Sequence, residues 1–220
     1  MPRFVNRGFF VVNYVVCGNS FLYNCNRRIS DRMIKIIFSD FDDTMLDYYS
    51  DKNYFDDYKI SVLSKIKEKG IKFCIVSGRS VLFFKRFPNL LVFIDYIIGS
   101  NGACIYDVQN DNYIYQKSIG ENELNKLIDY SIKNNFSFLL NCLDKRYQYG
   151  NWDSFDVFKY EVDKRYKCDQ VILSFEKKYS DDVAQFIEYL NNIIVNNVSE
   201  WDDKYSLDIN LKGVSKGSSI

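Results

Sequence analysis

Three observations predict an α/β fold, a parallel sheet core with an α+β module inserted into it. From Met33 onward strand-type and helix-type signals alternate, the order that winds a parallel sheet. Three strand-type runs end in polar residues, at Asp40, Ser77 and Asn101, and in such sheets the ligand crevice lies at the carboxyl ends of the strands. Near Lys117 the pattern changes to that of a separate unit. The predicted division is an N-terminal extension over 1–32, a core over 33–116 plus 212–220, and an inserted module over 117–211.

Residues 1–32 carry Arg3, Arg7, Arg27, Arg28 and Arg32 around an apolar stretch from Phe9 to Val16, too short to span a bilayer. A signal peptide is the weaker reading of this segment. Met33 is a natural start, since the first core strand begins right after it, and the leader is set apart from the fold. The core opens with a strand over 34–39, followed by a helix from Tyr58 to Lys69. In that helix Ile60, Leu63 and Ile66 recur at helical spacing, and Gly70 closes it. A strand from Ile71 to Val76 ends at Ser77-Gly78-Arg79. A short Phe-rich helix before Pro88 then leads to a third strand, Tyr96 to Gly99.

A hairpin from Ala103 to Gln116, turning near Asn110-Asp111, precedes a helix through Leu124, Leu127, Ile128 and Ser131. Strand signals follow at Phe136 to Cys142, Tyr147 to Tyr149 and Val171 to Phe175. The next helix is one that Ser180 is placed to cap, with Val183, Phe186, Ile187, Leu190 and Ile194 on one face. Two short strands, Val198 to Trp201 and Tyr205 to Ile209, lead to Gly213.

With 220 residues, 47% of them apolar, the chain can bury a substantial core. Lys plus Arg and Asp plus Glu are both 29, so no basic excess points to nucleic acid, and small molecules are the expected partners. The chain has no histidine. That removes Ser-His-Asp and Cys-His catalysis and His-bearing zinc sites, leaving acid-base work to carboxylates, Lys, Tyr or Cys. The six cysteines form no Cys-x-x-Cys pair, and Cys74 and Cys104 sit in apolar runs as small core residues of a reducing, cytoplasmic compartment.

The chemistry centres on Asp40-Phe41-Asp42-Asp43-Thr44, directly after the first core strand. Side chains alternate along a strand, so Asp40 and Asp42 share one side and Asp43 turns away. Two carboxylates so close repel, and the remedies are a bound divalent cation, a shared proton or one raised pKa. An isolated Asp-x-Asp is more often a solvated acidic turn. A calcium loop fails on spacing, because Met45 stands where an EF-hand needs glycine.

Together with Ser77-Gly78-Arg79, Ser100-Asn101-Gly102-Ala103 and Val214-Ser215-Lys216-Gly217-Ser218, this segment resembles the haloacid dehalogenase superfamily. The nearest likeness is to its Cof-type sugar-phosphatase branch, and it runs from about Met33 to Ile220. The Asp-x-Asp-x-Thr motif matches throughout, although Asp43 stands where glycine is commonest. The resemblance implies a Rossmannoid core with a C2-type cap and Mg²⁺-dependent hydrolysis of a small phosphorylated metabolite such as a sugar phosphate. By it, Asp40 is the nucleophile that forms an aspartyl-phosphate, and Asp42 is the acid and base. Mg²⁺ is held by the Asp40 carboxylate and the Asp42 main-chain carbonyl. Ser77 and Lys216 bind the phosphoryl group, with Thr44 and Gly78 beside it and Asn101 toward the substrate. Arg79 either contacts the substrate or pairs with Asp43 or another rim carboxylate.

The family's fourth motif, Gly-Asp-x-x-Asn-Asp or a close variant, follows the lysine motif and supplies the remaining metal carboxylates, and no such segment stands before Ile220. The expectation is a C-terminally incomplete core with an exposed sheet edge, weakened Mg²⁺ binding and little activity. Two alternatives follow. One is a phosphometabolite-binding remnant without catalysis. The other is a phospho-receiver module, which lacks large insertions and places its phosphorylated Asp on a later strand.

Overall fold

The structure, a computed structural model, describes residues 9–12, 35–42, 44–45, 57–150, 157–161 and 166–220. Asp43, Cys17 and Cys25 lie outside them. Two six-stranded sheets organise the chain. The first has the strand order β1 (Phe9–Val12), β2 (Ile36–Asp40), β3 (Lys72–Val76), β4 (Tyr96–Gly99), β5 (Cys104–Asp107), β6 (Asn112–Gln116). Its centre, β2-β3-β4, is parallel, as the βαβαβ order requires, with α1 (Asp57–Glu68) crossing from β2 to β3. Two single-turn helices, α2 (Val81–Phe84) and α3 (Pro88–Leu91), connect β3 to β4.

Both flanks are antiparallel, the β5-β6 hairpin on one side and β1 on the other. The pairing of β1 with β2 corrects the reading that sets the leader apart from the fold. The Phe9–Val12 run has high strand propensity, and β2 without it would leave a row of unpaired N–H and C=O groups along its edge.

The strand register aligns the rim. Asp40 pairs with Val76, and Val76 with Ile98, so Asp40, Ser77 and the loop after Gly99 finish side by side. Beneath them Phe41, Phe73, Ile75, Phe84, Ile94 and Ile97 form a core closed to water. Cys74 and Cys104 are buried as expected, and burial pushes the Cys104 thiol up to about 12.

The second sheet runs β11 (Ile193–Trp201), β12 (Lys204–Leu211), β10 (Gln170–Glu176), β7 (Ser137–Cys142), β8 (Lys145–Tyr149), β9 (Val157–Lys159). Period-two alternation gives it two unlike faces. Phe138, Leu140, Val171, Leu173 and Ile209 pack against α4 (Glu121–Lys133) and α5 (Ser180–Tyr189), where the Tyr130 and Phe186 rings stack at 3.8 Å. The opposite face carries Asn141, Gln170, Asp208 and Asn210.

Three local readings change. Ser180 is the first residue of α5 instead of its cap, and Tyr179 precedes the helix without a side-chain cap bond. Ile194, expected on the helix stripe, belongs to β11, because the helix stops at Tyr189 and Leu190 turns extended. The two short strands are one long hairpin, and β11 starts earlier than expected, at Ile193-Ile194-Val195, an apolar run whose Ile194 also fits the spacing of the preceding helix. β9 pairs parallel with β8 over only three residues, too short to leave a periodic signal.

Candidate active site

Asp40 closes β2, and the chain turns at once, with the Met45 amide donating to the Phe41 carbonyl at 2.9 Å. Phe41 fixes that turn. Its side chain is fully buried, edge-on to the Phe84 ring at 4.9 Å and to the Phe83 ring at 5.9 Å. An apolar anchor between two aspartates holds both carboxylates at the rim.

Each aspartate meets a cation from another loop. Lys216 Nζ donates to Asp40 Oδ1 at 2.6 Å across 176 residues of sequence. Arg79 engages Asp42 Oδ1 through Nε and a terminal nitrogen, both at 2.8 Å, while its guanidinium lies over the Phe83 ring. Of the alternatives for Arg79, the ion pair with a rim carboxylate is the one present, and the partner is Asp42. Ser77 Oγ donates to Asp42 Oδ2 at 3.4 Å and accepts from the Arg79 amide at 3.1 Å. Burial raises the Asp40 pKa, against the opposing pull of the Lys216 charge and its hydrogen bond. Thr44 Oγ1 is buried with no hydrogen-bond partner.

The third loop is strained into place. Ser100 and Asn101 both take left-handed φ, at 50° and 59°, an arrangement that costs about 1 kcal/mol or more per non-glycine residue. The Asn101 amide donates to the Ser77 carbonyl at 3.0 Å, and the Ser100 amide to the Arg79 carbonyl at 2.9 Å. These bonds hold the loop. Gly102, at φ 99°, lies so close to the lysine loop that an added Cβ would stand 2.2 Å from the Ser215 carbonyl oxygen. Ser219 Oγ donates to the Gly102 carbonyl at 2.7 Å, and Ser215 and Ser218 cap each other reciprocally around Lys216. Gly102→Ala is therefore expected to cost at least about 2 kcal/mol, since it combines backbone strain with a main-chain collision. Urea unfolding of the variant checks this, and an unchanged midpoint would refute it.

The structure thus brings Asp40, Asp42, Ser77, Gly78, Asn101 and Lys216 to one rim, with Thr44 one turn behind. Sequence reasoning missed Asp208 and Asn210, both on β12. Asn101 Nδ2 lies 3.4 Å from Asp208 Oδ2 and 3.4 Å from Asn210 Oδ1, and Asn210 Nδ2 donates to the carbonyls of Ser100 at 3.0 Å and Asp169 at 2.8 Å. A signal existed in the alternation Ser206, Asp208, Asn210 against Leu207, Ile209, Leu211, which marks a polar strand face.

A family model for haloacid dehalogenase-like hydrolases matches residues 37–220, which takes in every part of this rim. The chain belongs to that family. This haloacid dehalogenase-like hydrolase is 29% identical over 143 residues to a protein of Buchnera aphidicola (subspecies Baizongia pistaciae, strain Bp) provisionally named a phosphatase. That match covers 65% of this chain and 48% of the relative. The chain spans about half the length of the curated relatives it matches.

Among solved structures, BT1666 of Bacteroides thetaiotaomicron, described among phosphatases of the haloalkanoate superfamily, aligns with a TM-score of 0.67 at 20% identity. The alignment covers 87% of this hydrolase and 72% of that chain. BT4131, described as a subclass IIB sugar phosphatase, aligns with a TM-score of 0.65 at 15% identity over 84% of this chain and 73% of its own. Both share the α/β fold. Among the described residues no helix is long and apolar enough to cross a membrane.

Proposed function

We propose that this chain hydrolyses phosphate monoesters of small metabolites, sugar phosphates among them, through an aspartyl-phosphate on Asp40. The observation that carries the reading is the convergence of Asp40, Asp42, Ser77 and Lys216 at the carboxyl ends of parallel strands. In the first step an Asp40 carboxylate oxygen bonds to phosphorus, the ester P–O bond breaks, and Asp42 gives its proton to the leaving alkoxide. In the second, Asp42 takes a proton from water, whose oxygen attacks phosphorus and releases Asp40 and phosphate. Lys216 and Ser77 supply positive charge and a donor for the phosphoryl oxygens.

The sheet formed by β7–β12 serves in this reading as the cap over the crevice. The donors at the rim are carboxylate and carbonyl oxygens, which suit a hard cation, and the Asp40 carboxylate with the Asp42 main-chain carbonyl would hold Mg²⁺. That ion would neutralise charge between an anionic nucleophile and an anionic substrate. Among the described residues no group of three or more acidic, Cys or His side chains is placed to hold a metal, so the binding expected here is weak.

The test is Mg²⁺-dependent release of phosphate from p-nitrophenyl phosphate and a hexose 6-phosphate, with acid-stable trapping of labelled Asp40. Binding of the hexose phosphate without release would instead favour a phosphometabolite-binding chain. The nucleophile must be ionised, and Asp40 titrates above the ordinary carboxylate value of 3.8. Turnover is therefore expected to fall as pH drops through that raised value, giving an acid limb above the ordinary carboxylate value. A flat profile from pH 4 to 7 would refute the assignment of Asp40.

A further inference from the structure

Ser100 and Asn101 stand in succession in the left-handed region, and neighbouring non-glycine residues keep such a backbone only where their surroundings over-determine it. Their amides are held from the first sheet, by the carbonyls of Arg79 and Ser77. The other side of the loop is held from the second sheet by a single side chain. Asn210 Nδ2 donates to the Ser100 carbonyl at 3.0 Å and to the Asp169 carbonyl at 2.8 Å, while its Oδ1 accepts from Asn196 Nδ2 at 2.9 Å and from Asn101 Nδ2 at 3.4 Å. These bonds use both donors and both lone pairs of the amide. Fully buried and with every hydrogen-bonding position filled, Asn210 acts only through its neighbours.

Each neighbour leads to the rim or to a crossing between the two sheets. Asp169 is buried, and its carboxylate accepts from Gln116 Nε2 at 2.7 Å and from Ser118 Oγ at 3.1 Å, where the chain leaves the first sheet. Asn196 is the extra residue of a bulge in β11, between Val195 opposite Ile209 and Asn197 opposite Asp208, and bulges re-aim side chains. This one turns Asn196 toward the returning chain, where its Nδ2 also donates to the Val214 carbonyl at 3.1 Å, just ahead of Lys216. The strained loop itself abuts the lysine loop through the Ser219 bond to the Gly102 carbonyl. One buried amide therefore ties together the loop carrying Asn101, the loop carrying Lys216 and both crossings.

We infer that Asn210 is a positioning residue, which holds Ser100 and Asn101 in their left-handed conformation and so keeps the Asn101 and Lys216 loops aligned on Asp40 and Asp42. This inference rests on the phosphatase reading. Without Asn210 the Ser100 carbonyl loses a buried donor, and the loop relaxes toward the negative φ angles that residues with a Cβ prefer. A displacement of about 1 Å, even from a change far from the reacting atoms, can cost about 10²-fold in rate. Ser100→Gly removes the cause of that relaxation, because glycine adopts a φ of 50° without the Cβ penalty.

A double-mutant cycle on the full chain in Mg²⁺ tests it, with p-nitrophenyl phosphate as substrate and amide hydrogen exchange followed by NMR. Asn210→Ala is expected to lower kcat by about 10- to 100-fold with little change in KM, and to speed exchange of the Ser100 and Asn101 amides by about tenfold or more. Ser100→Gly alone should stay close to wild type and, combined with Asn210→Ala, should recover most of both losses. A role confined to packing would lower the unfolding midpoint equally in both backgrounds, with no recovery of kcat or of protection, and that result would overturn the inference. Unchanged kcat and exchange in Asn210→Ala would overturn it too. Asn210→Ser, which keeps a donor for one of the two carbonyls, is taken through the same cycle so that misfolding of the alanine variant does not decide the matter. A wild type that released no phosphate would overturn the phosphatase reading, while amide exchange would still decide whether Asn210 holds the loop.

Discussion

Asp40→Asn is expected to reduce phosphate-monoester hydrolysis by at least about 10³-fold, because the amide oxygen cannot act as the nucleophile that forms the phosphoenzyme. Folding should survive. The Asp40 pKa is raised in the folded chain, so the folded state binds this proton more tightly than the unfolded state does. Its stabilising contribution is therefore full below the unfolded value near 3.8 and is lost as pH rises through the raised folded value. At neutral pH the ionised carboxylate is a net cost that Asn removes, while Lys216 loses a partner but remains about two-fifths exposed to water. Steady-state kinetics and thermal unfolding at pH 7 check both halves. A variant with normal turnover would remove Asp40 from the mechanism, and one that unfolds would show that the Lys216 bridge is structural.

Phe41→Ala should have the largest effect on stability, about 3–5 kcal/mol, because it empties a fully buried aromatic site whose neighbours Phe83 and Phe84 are held edge-on around it. For a chain of this size that corresponds to a drop of roughly 10 °C in Tm. The same change frees the turn that carries Asp40 and Asp42, so activity should fall even at temperatures where the variant remains folded. Phe41→Leu, which refills most of the volume, should recover most of the stability. If Phe41→Ala melted within 2 °C of wild type, the aromatic anchor would not be what holds the rim (on the scale of about 2–4 °C per kcal/mol).

Much of the first sheet was legible because its strands are short apolar runs closed by polar residues. Tyr96 to Gly99 is read to the residue, and Ile71 to Val76 to within one. The candidate rim was legible for the same reason. Parallel strands put their carboxyl ends on one side, so polar residues at three strand ends must be neighbours wherever the chain wanders between them. Elements whose cause lies in a partner were not legible. Residues 9–12 become a strand only against the open edge of β2, and Val157–Lys159 only against β8.

The sequence by itself determined which residues are candidates for the chemistry, since a chain without histidine leaves its acid-base work chiefly to carboxylates, Lys, Tyr and Cys, and period-two alternation fixes which of these share a strand end. Only the tertiary structure decided their partners. That Lys216 meets Asp40, that Arg79 takes Asp42, and that Asp208 arrives from the other sheet all depend on contacts between residues 37 to 176 positions apart. Local spacing carries no information about such distances, because loop length barely constrains where two segments meet, whereas the packing of sheets, loops and buried amides does.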